Sequence, residues 1–305
     1  KAVTWSIENG TGEATISEEG LLTGTKVGSV TVKATAKDGS GVYDEAAVTV
    51  VTSQNSLDLP CPVGLNNITE VYIDGIEYQA FSENGELKVY LGDSAPKTAV
   101  AYEYNTGGIP VGMYVWTIEY TSGAYRAKYE PALKDLLSYH GFSVRIAGVS
   151  GIRFKTGVST SLRKSLLSGG ADGFMLTEYG TLVMNNANRG SYPLVKGGQK
   201  TTFGRAYYRS GGKVTDAIFE TVGGRHRFAS VLIDIPVANY KTQFAFRGYI
   251  ILNRGGEQYT FYGPIVYRSI YYVSQQVLDS RQFPEGSSAD RFLKKIITDA
   301  DSYGR

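Results

Sequence analysis

Gly28-Ser29-Val30-Thr31-Val32-Lys33-Ala34-Thr35-Ala36 carries the strongest strand signal in the first part of the chain. Val30, Val32, Ala34 and Ala36 alternate with Ser29, Thr31, Lys33 and Thr35, the period-two pattern of a strand with one buried face. Working outward, Val3-Thr4-Trp5-Ser6-Ile7-Glu8-Asn9, Ala14-Thr15-Ile16 and Ala47-Val48-Thr49-Val50 repeat the same short, β-branched pattern. Gly20 and Gly24 bracket Leu21-Leu22-Thr23, as a short strand between tight turns requires. Trp5 reads as a core aromatic. Asp38-Gly39-Ser40-Gly41 is hairpin-turn chemistry. With Asp44 and Glu45 it also gathers the oxygen ligands that hard cations take, so Asp38, Asp44 and Glu45 form a candidate calcium set beside the plainer turn reading.

Taken together these segments resemble the group 2 bacterial immunoglobulin-like domain, a β-sandwich module of secreted and surface-attached bacterial proteins. The resemblance implies a sandwich over residues 1–52 and an extracellular, cell-surface location, and it names no activity. Domains of that family ordinarily carry further strands ahead of the Trp-bearing one. The sandwich is therefore expected to be N-terminally incomplete, with open edges that invite pairing. Residue 1 is expected to be a cut point within a longer parent protein, whose other domains would be partners.

A chain of 305 residues exceeds one ordinary domain. No apolar run is long enough to cross a bilayer as a helix. The single cysteine, Cys61, excludes an intrachain disulfide, and between Pro60 and Pro62 it reads as a linker or packing residue. The net charge of +2 conceals an asymmetry. Residues 1–52 hold 4 basic and 7 acidic side chains, residues 53–141 hold 5 and 11, and residues 142–305 hold 22 and 11, so the segments carry −3, −6 and +11. So basic a last segment points to an anionic partner, or to neutralisation by the acidic segment before it.

The fold class expected is multi-domain: a partial Ig-like β-sandwich at 1–52, a small β-rich unit at 57–141 and an α+β module at 142–305, the last two packed as one body. Asp74-Gly75 marks a hairpin, and Leu87–Leu91, Ala99–Tyr104, Met113–Tyr120 and Ala124–Tyr129 read as strands. Leu133, Leu136 and Leu137 fall at helical spacing and predict a helix over 131–139. Later strands are expected at 142–146, 151–156, 181–184, 228–235, 243–252 and 259–265. Helices are expected from Ser159 or Ser161 to Leu167 before Gly169-Gly170, over Ser269–Ser280, and from a Ser287 or Ser288 cap. As a group, Tyr139–Ile146, Gly151–Phe154, Glu178–Val183, Arg247–Ile250, Tyr262-Gly263 and Arg268–Tyr271 resemble a carboxy-terminal module of large Gram-positive surface proteins, over roughly residues 66–300. That resemblance carries over no catalytic residue.

The chain lacks a His-Glu-x-x-His pair, a Gly-x-Ser-x-Gly elbow, a phosphate-cradling Gly-rich loop and paired-Cys zinc spacing, and no cofactor is expected. Its two histidines, His140 and His226, have no carboxylate beside them in sequence. Glu178 and Asp234 lie next to apolar runs and form the one candidate carboxylate pair for a polysaccharide-acting enzyme. The basic strands point elsewhere. Arg145, Arg153 and Lys155, and Arg247 with Tyr249, each alternate with apolar residues. On one sheet they would make a basic stripe interleaved with tyrosine, suited to an anionic glycan or cell-wall polymer. Arg–carboxylate pairing with Glu178 and Asp234 is the competing reading. The function expected is a non-catalytic surface module for adhesion, glycan or wall-polymer binding, or spacing. Nucleic acid is not an expected partner, because no nucleic-acid motif accompanies the charge.

Overall fold

A computed structural model describes residues 2–50, 56–60, 68, 70–83, 86–91, 94–146 and 151–303. Cys61, read above as a linker or packing residue, and residues 51–55 lie outside the described residues.

The first fifty residues form five strands: β1 (Val3–Asn9), β2 (Glu13–Ile16), β3 (Leu22–Lys26), β4 (Gly28–Ala36) and β5 (Tyr43–Val50). β1, β4 and β5 make one antiparallel sheet, and β2 pairs with β3 in a second. The register sets Trp5 opposite Ala34, Ile7 opposite Val32 and Val30 opposite Val48, so the alternation of β4 becomes one apolar inner face. Ala14 and Val30 are buried there, and Trp5 is half-buried.

Seven further strands follow: β6 (Ser56–Leu59), β7 (Glu70–Ile73), β8 (Ile76–Glu83), β9 (Glu86–Tyr90), β10 (Thr98–Tyr104), β11 (Pro110–Thr121) and β12 (Ala124–Tyr129). They form one sheet in the order β12-β11-β10-β7-β8-β9-β6, and β12 comes back alongside β6, so the sheet curls. Inside the curl sit Leu57, Val71, Val89, Ala101 and Trp116, whose indole N–H donates to the Pro60 carbonyl at 2.8 Å. The opposite face of β10 and β11 carries Val100, Tyr102, Met113 and Val115, which enter a different core.

The helix predicted over 131–139 does not form. Pro131–Leu133 makes a single 3-10 turn, and Ser138–Arg145 is strand β13. The cause is Asp135, whose φ is 55°. Its N–H donates to the Met113 carbonyl and its carboxylate accepts the Met113 N–H, both at 2.9 Å, a two-way bond that anchors the segment to β11 in place of helical pairing. The three leucines are still buried, because the turn aims them into the core that Met113 lines.

After β13 come β14 (Gly151–Ser159), helix α1 (Thr160–Ser168), β15 (Met175–Asn185), β16 (Thr202–Ser210), β17 (Lys213–Asp216), β18 (Glu220–Val222), β19 (Arg225–Ile233), β20 (Phe244–Arg254), β21 (Glu257–Tyr262) and β22 (Val266–Arg268). Helices α2 (Ile270–Asp279) and α3 (Ser288–Ser302) close the described chain. Each of these helices starts at a serine cap: Ser159, Ser269 and Ser287 accept N–H bonds from Leu162, Tyr272 and Asp290, and the last is one of the two serines expected to cap that helix. β13-β14-β19-β18 form a four-stranded sheet, and β17-β16-β15-β20-β21 form a larger one, with β22 added along β20.

One core joins Tyr72, Tyr102, Met113 and Leu136 to Leu166, Phe174, Tyr179, Phe228 and Ile250, so side chains from before and after residue 141 share it. Residue 141 itself lies inside β13. The Asp74-Gly75 hairpin turn docks at this joint: a Cβ on Gly75 would fall 2.7 Å from the Tyr262 ring. The Tyr102 hydroxyl donates to the Tyr262 carbonyl beside it. A further core holds α2 and α3 through Ile270, Val273, Leu293 and Ile296 against Ile152, Phe154 and Phe246.

Candidate anion-binding surface

The register of the four-stranded sheet decides which side chains share its outer face. Ser143 lies opposite Arg153, Arg145 opposite Gly151, Lys155 opposite Ala229, and Glu220 opposite Arg227. Side chains alternate, so Ile152 and Phe154 turn inward to the helices while Arg145, Arg153, Lys155, Arg227 and Arg225 run in a row along the other side. Glu220 is the carboxylate among them. Its Oε1 accepts from Arg227 Nη1 at 3.0 Å and lies 3.9 Å from Lys155 Nζ. The Arg227 hydrogen bond, aided by the Lys155 charge, holds its carboxyl below the ordinary range. Arg225 donates to the Asp135 carbonyl at 3.1 Å.

A groove of about 510 Å³ crosses this face. Arg145, Arg153 and Lys155 line it with Ser143, Ile146 and Glu220. Phe219 forms one wall, with 47% of its surface exposed, and the Arg153 guanidinium lies 4.8 Å from its ring centre. Phe283, from the connection between α2 and α3, forms the other. Burial, and then the neighbouring Arg145 charge, lower the pKa of Arg153, so this is a crowded cationic site. The Ser143 hydroxyl is buried without a hydrogen-bond partner among the described residues. The sequence indicated three of these cations. It missed Arg225 and Arg227 because β19 begins three residues before the strand start expected at Phe228; the alternation Arg225-His226-Arg227 is the signal that carries them.

His140 sits under the same cations. Gly141 (φ 80°) lies within the β13 bulge between Tyr139 and Phe142, and the His140 ring fills the space that a Cβ on Gly157 would need, 2.4 Å from Nε2. Burial, then Arg227, Arg225 and Lys155, push its pKa down from 6.5 to about 4, against the opposing pull of Glu220. Folded protein therefore holds His140 neutral where the unfolded chain takes up a proton. Stability is full above about pH 6.5 and falls as the pH drops toward 4. Urea midpoints should fall between pH 7 and pH 5, and His140→Gln should flatten that fall; an unchanged pH slope in the variant would count against this origin.

Three sequence expectations need correction. Arg247 and Tyr249 are not part of the basic face. They lie on β20 in the other sheet, where both faces are covered, and each is 0% exposed. Arg247 donates to the carbonyls of Gly263 (2.9 Å), Gly75 (2.7 Å) and Leu194 (3.3 Å), and its guanidinium lies between the Tyr72 and Tyr262 rings.

Glu178 and Asp234 are not assembled as an acid–base pair either. Glu178 is bound by the Tyr249 hydroxyl at 2.5 Å and Lys196 Nζ at 2.8 Å. Asp234 is exposed just past β19, at left-handed φ 55°. Neither lines the groove. The partner of Glu178 is Lys196, not the Arg153 or Arg247 that the sequence reading had offered.

Asp38, Asp44 and Glu45 do not converge. Asp38 caps its own turn by accepting the Ser40 N–H and hydroxyl, and Asp44 and Glu45 are strand neighbours on opposite faces of β5. Among the described residues no three His, Cys, Asp or Glu side chains cluster as metal ligands. No helix among them is long and apolar enough to cross a membrane. His226 faces away from the groove and bonds to Thr221 through Nδ1 at 2.9 Å.

Residues 1–46 match the family model of the bacterial Ig-like domain (group 2). The match covers the first sandwich up to the middle of β5, and it suggests a bacterial surface or extracellular module. No curated protein matches the chain.

Proposed function

We propose that the chain is a non-catalytic module of the bacterial cell surface that holds an anionic glycan or cell-wall polymer on the outer face of its four-stranded sheet. The observation that carries this is the gathering of Arg145, Arg153, Lys155, Arg225 and Arg227 on one face beside the carboxylate of Glu220. Guanidinium groups match the planar, multi-oxygen geometry of sulfate, phosphate and carboxylate. Phe219 adds a ring on which the C–H face of a sugar can lie. A surface setting, suggested by the Ig-like domain, suits such a ligand. So does the resemblance of residues 66–300 to terminal modules of Gram-positive surface proteins.

Attraction of this kind is mainly Coulombic. It should weaken as salt shortens the screening length from about 10 Å at 0.1 M to about 3 Å at 1 M. On a heparin or polyanion column, wild type should be retained and eluted by sodium chloride. The double variant Arg153→Glu, Lys155→Glu should lose on the order of tenfold or more in affinity and elute early. Co-elution of the two proteins would remove the basis for the assignment. Both substitutions fall on the solvated side of β14, so the fold can be checked independently by circular dichroism.

A further inference from the structure

We propose that the binding groove continues past Phe283 into a second depression ending at Arg281, and that its ligand is an extended anionic polysaccharide chain rather than a single charged terminal sugar. This rests on the basic face being the binding surface, and adds to it the length and path of the ligand.

The second depression has a volume of about 560 Å³ and lies between α2 and α3. It shares Val277, Phe283 and Leu293 with the first groove, so the two are continuous across an apolar saddle. Each is of the size that takes a drug-sized ligand, about 300–1,000 Å³. A lone sugar acid on Arg153 would leave most of that length empty, whereas a chain of several rings would follow it. A pyranose presents apolar C–H faces between its polar edges, which is what an apolar saddle of Val277 and Phe283 between Arg153 and Arg281 accommodates.

Arg281 and Lys294 line the far depression together with the carboxylates of Glu285 and Asp290, and one of the two cations is left to meet a ligand. Lys294 is committed to Asp290 at 3.1 Å and Glu285 at 3.9 Å, and Asp290 also accepts the Gly286 N–H at 2.8 Å. Arg281 is exposed at the end of α2, with its backbone at left-handed φ 51° and its N–H bonded to the Leu278 carbonyl. Its guanidinium has no carboxylate partner among the described residues. Packing of α2 and α3 against Ile152 and Phe154 fixes where it stands relative to Arg153. The groove therefore has charge at both ends, and only a ligand long enough to bridge the saddle engages both.

The test uses size-defined heparin fragments, a disaccharide and an octasaccharide, with binding measured by calorimetry at low salt. Asn is the neutral substitute at position 281, because it tolerates the left-handed backbone. Arg281→Asn should weaken octasaccharide binding about fivefold and leave disaccharide binding unchanged. Lys164→Ala, which removes an exposed cation of α1 that lines neither depression, should alter neither. If Arg281→Asn binds the octasaccharide as wild type does while Arg153→Glu abolishes binding, the continuation is wrong and the basic face stands. If wild type binds neither fragment, the basic face falls and this inference falls with it.

Discussion

Arg247→Ala is expected to destabilise the protein by about 3–5 kcal/mol, a drop in Tm on the order of 10 °C. The substitution strips the hydrogen-bond donor from three buried carbonyls at once, those of Gly75, Leu194 and Gly263. It also opens a space between the Tyr72 and Tyr262 rings. Because Gly75 belongs to the β7–β8 turn and Gly263 follows β21, the loss falls on the joint between the curled sheet and the later strands. Arg247→Lys should recover little, since one ammonium nitrogen cannot stand at the separate places where Nε and Nη1 now bond, and it lacks the planar guanidinium that faces the two rings. Calorimetry checks both variants. A shift of less than about 2 °C for Arg247→Ala would mean that the joint does not depend on this side chain.

The second large effect is expected at Glu130, whose side chain is 0% exposed and ion-paired with Arg254. Its Oε1 accepts from Arg254 Nη1 at 2.8 Å and from the Thr117 hydroxyl at 2.7 Å, while Lys128 Nζ lies 3.6 Å from Oε2. Arg254 also donates to Thr117 at 3.2 Å and lies over the Phe174 ring at 4.2 Å. A buried pair is costly to half-dismantle, so Glu130→Ala and Arg254→Ala should each cost about 3–5 kcal/mol. The double variant should cost clearly less than the sum, because neither charge is then left alone. Additive losses in a denaturant-unfolding cycle would show that the two residues act separately. Like Arg247, this pair ties the first half of the body to the second, here β12 to β20.

Both of these residues show what alternation can and cannot reveal. The pattern around Arg247 correctly put it on one face of its strand with Tyr249, opposite Phe246. What one sequence does not show is that β20 is a central strand with a packed layer on each side, where the polar phase of the alternation is also interior. On β14 the same kind of pattern has solvent on its polar side, and Arg153 and Lys155 do line a groove. Helix starts were legible because a serine cap acts over three residues. The false helix at 131–139 had correct spacing, but a bond from Asp135 to a strand twenty-two residues away decides against it. The missed strands of 202–222 lie among glycines with little alternation. Phe219 and Glu220 join the groove only through pairing with β19, which no local pattern announces.

The hydroxyl of Tyr102 meets the carbonyl of Tyr262, 160 residues further on, and Arg247 meets Gly75 across 172. Closing loops of that length before any contact rewards them makes for slow folding, and it imposes an order of events. Among the described residues, the five strands before residue 51 pair only with one another and can settle as soon as they are made. The curled sheet can form its inner core early, but its outer face, with Tyr72, Val100, Tyr102 and Val115, is covered first only by Leu133, Leu136 and Leu137 and lacks the cover of Ile250, Leu252 and Phe261 until β20 and β21 exist. During synthesis the chain thus leaves part of an apolar sheet face open for more than a hundred residues of elongation. A chain interrupted in that interval would present that face to its neighbours, which makes truncation, more than point substitution, the characteristic hazard of this architecture.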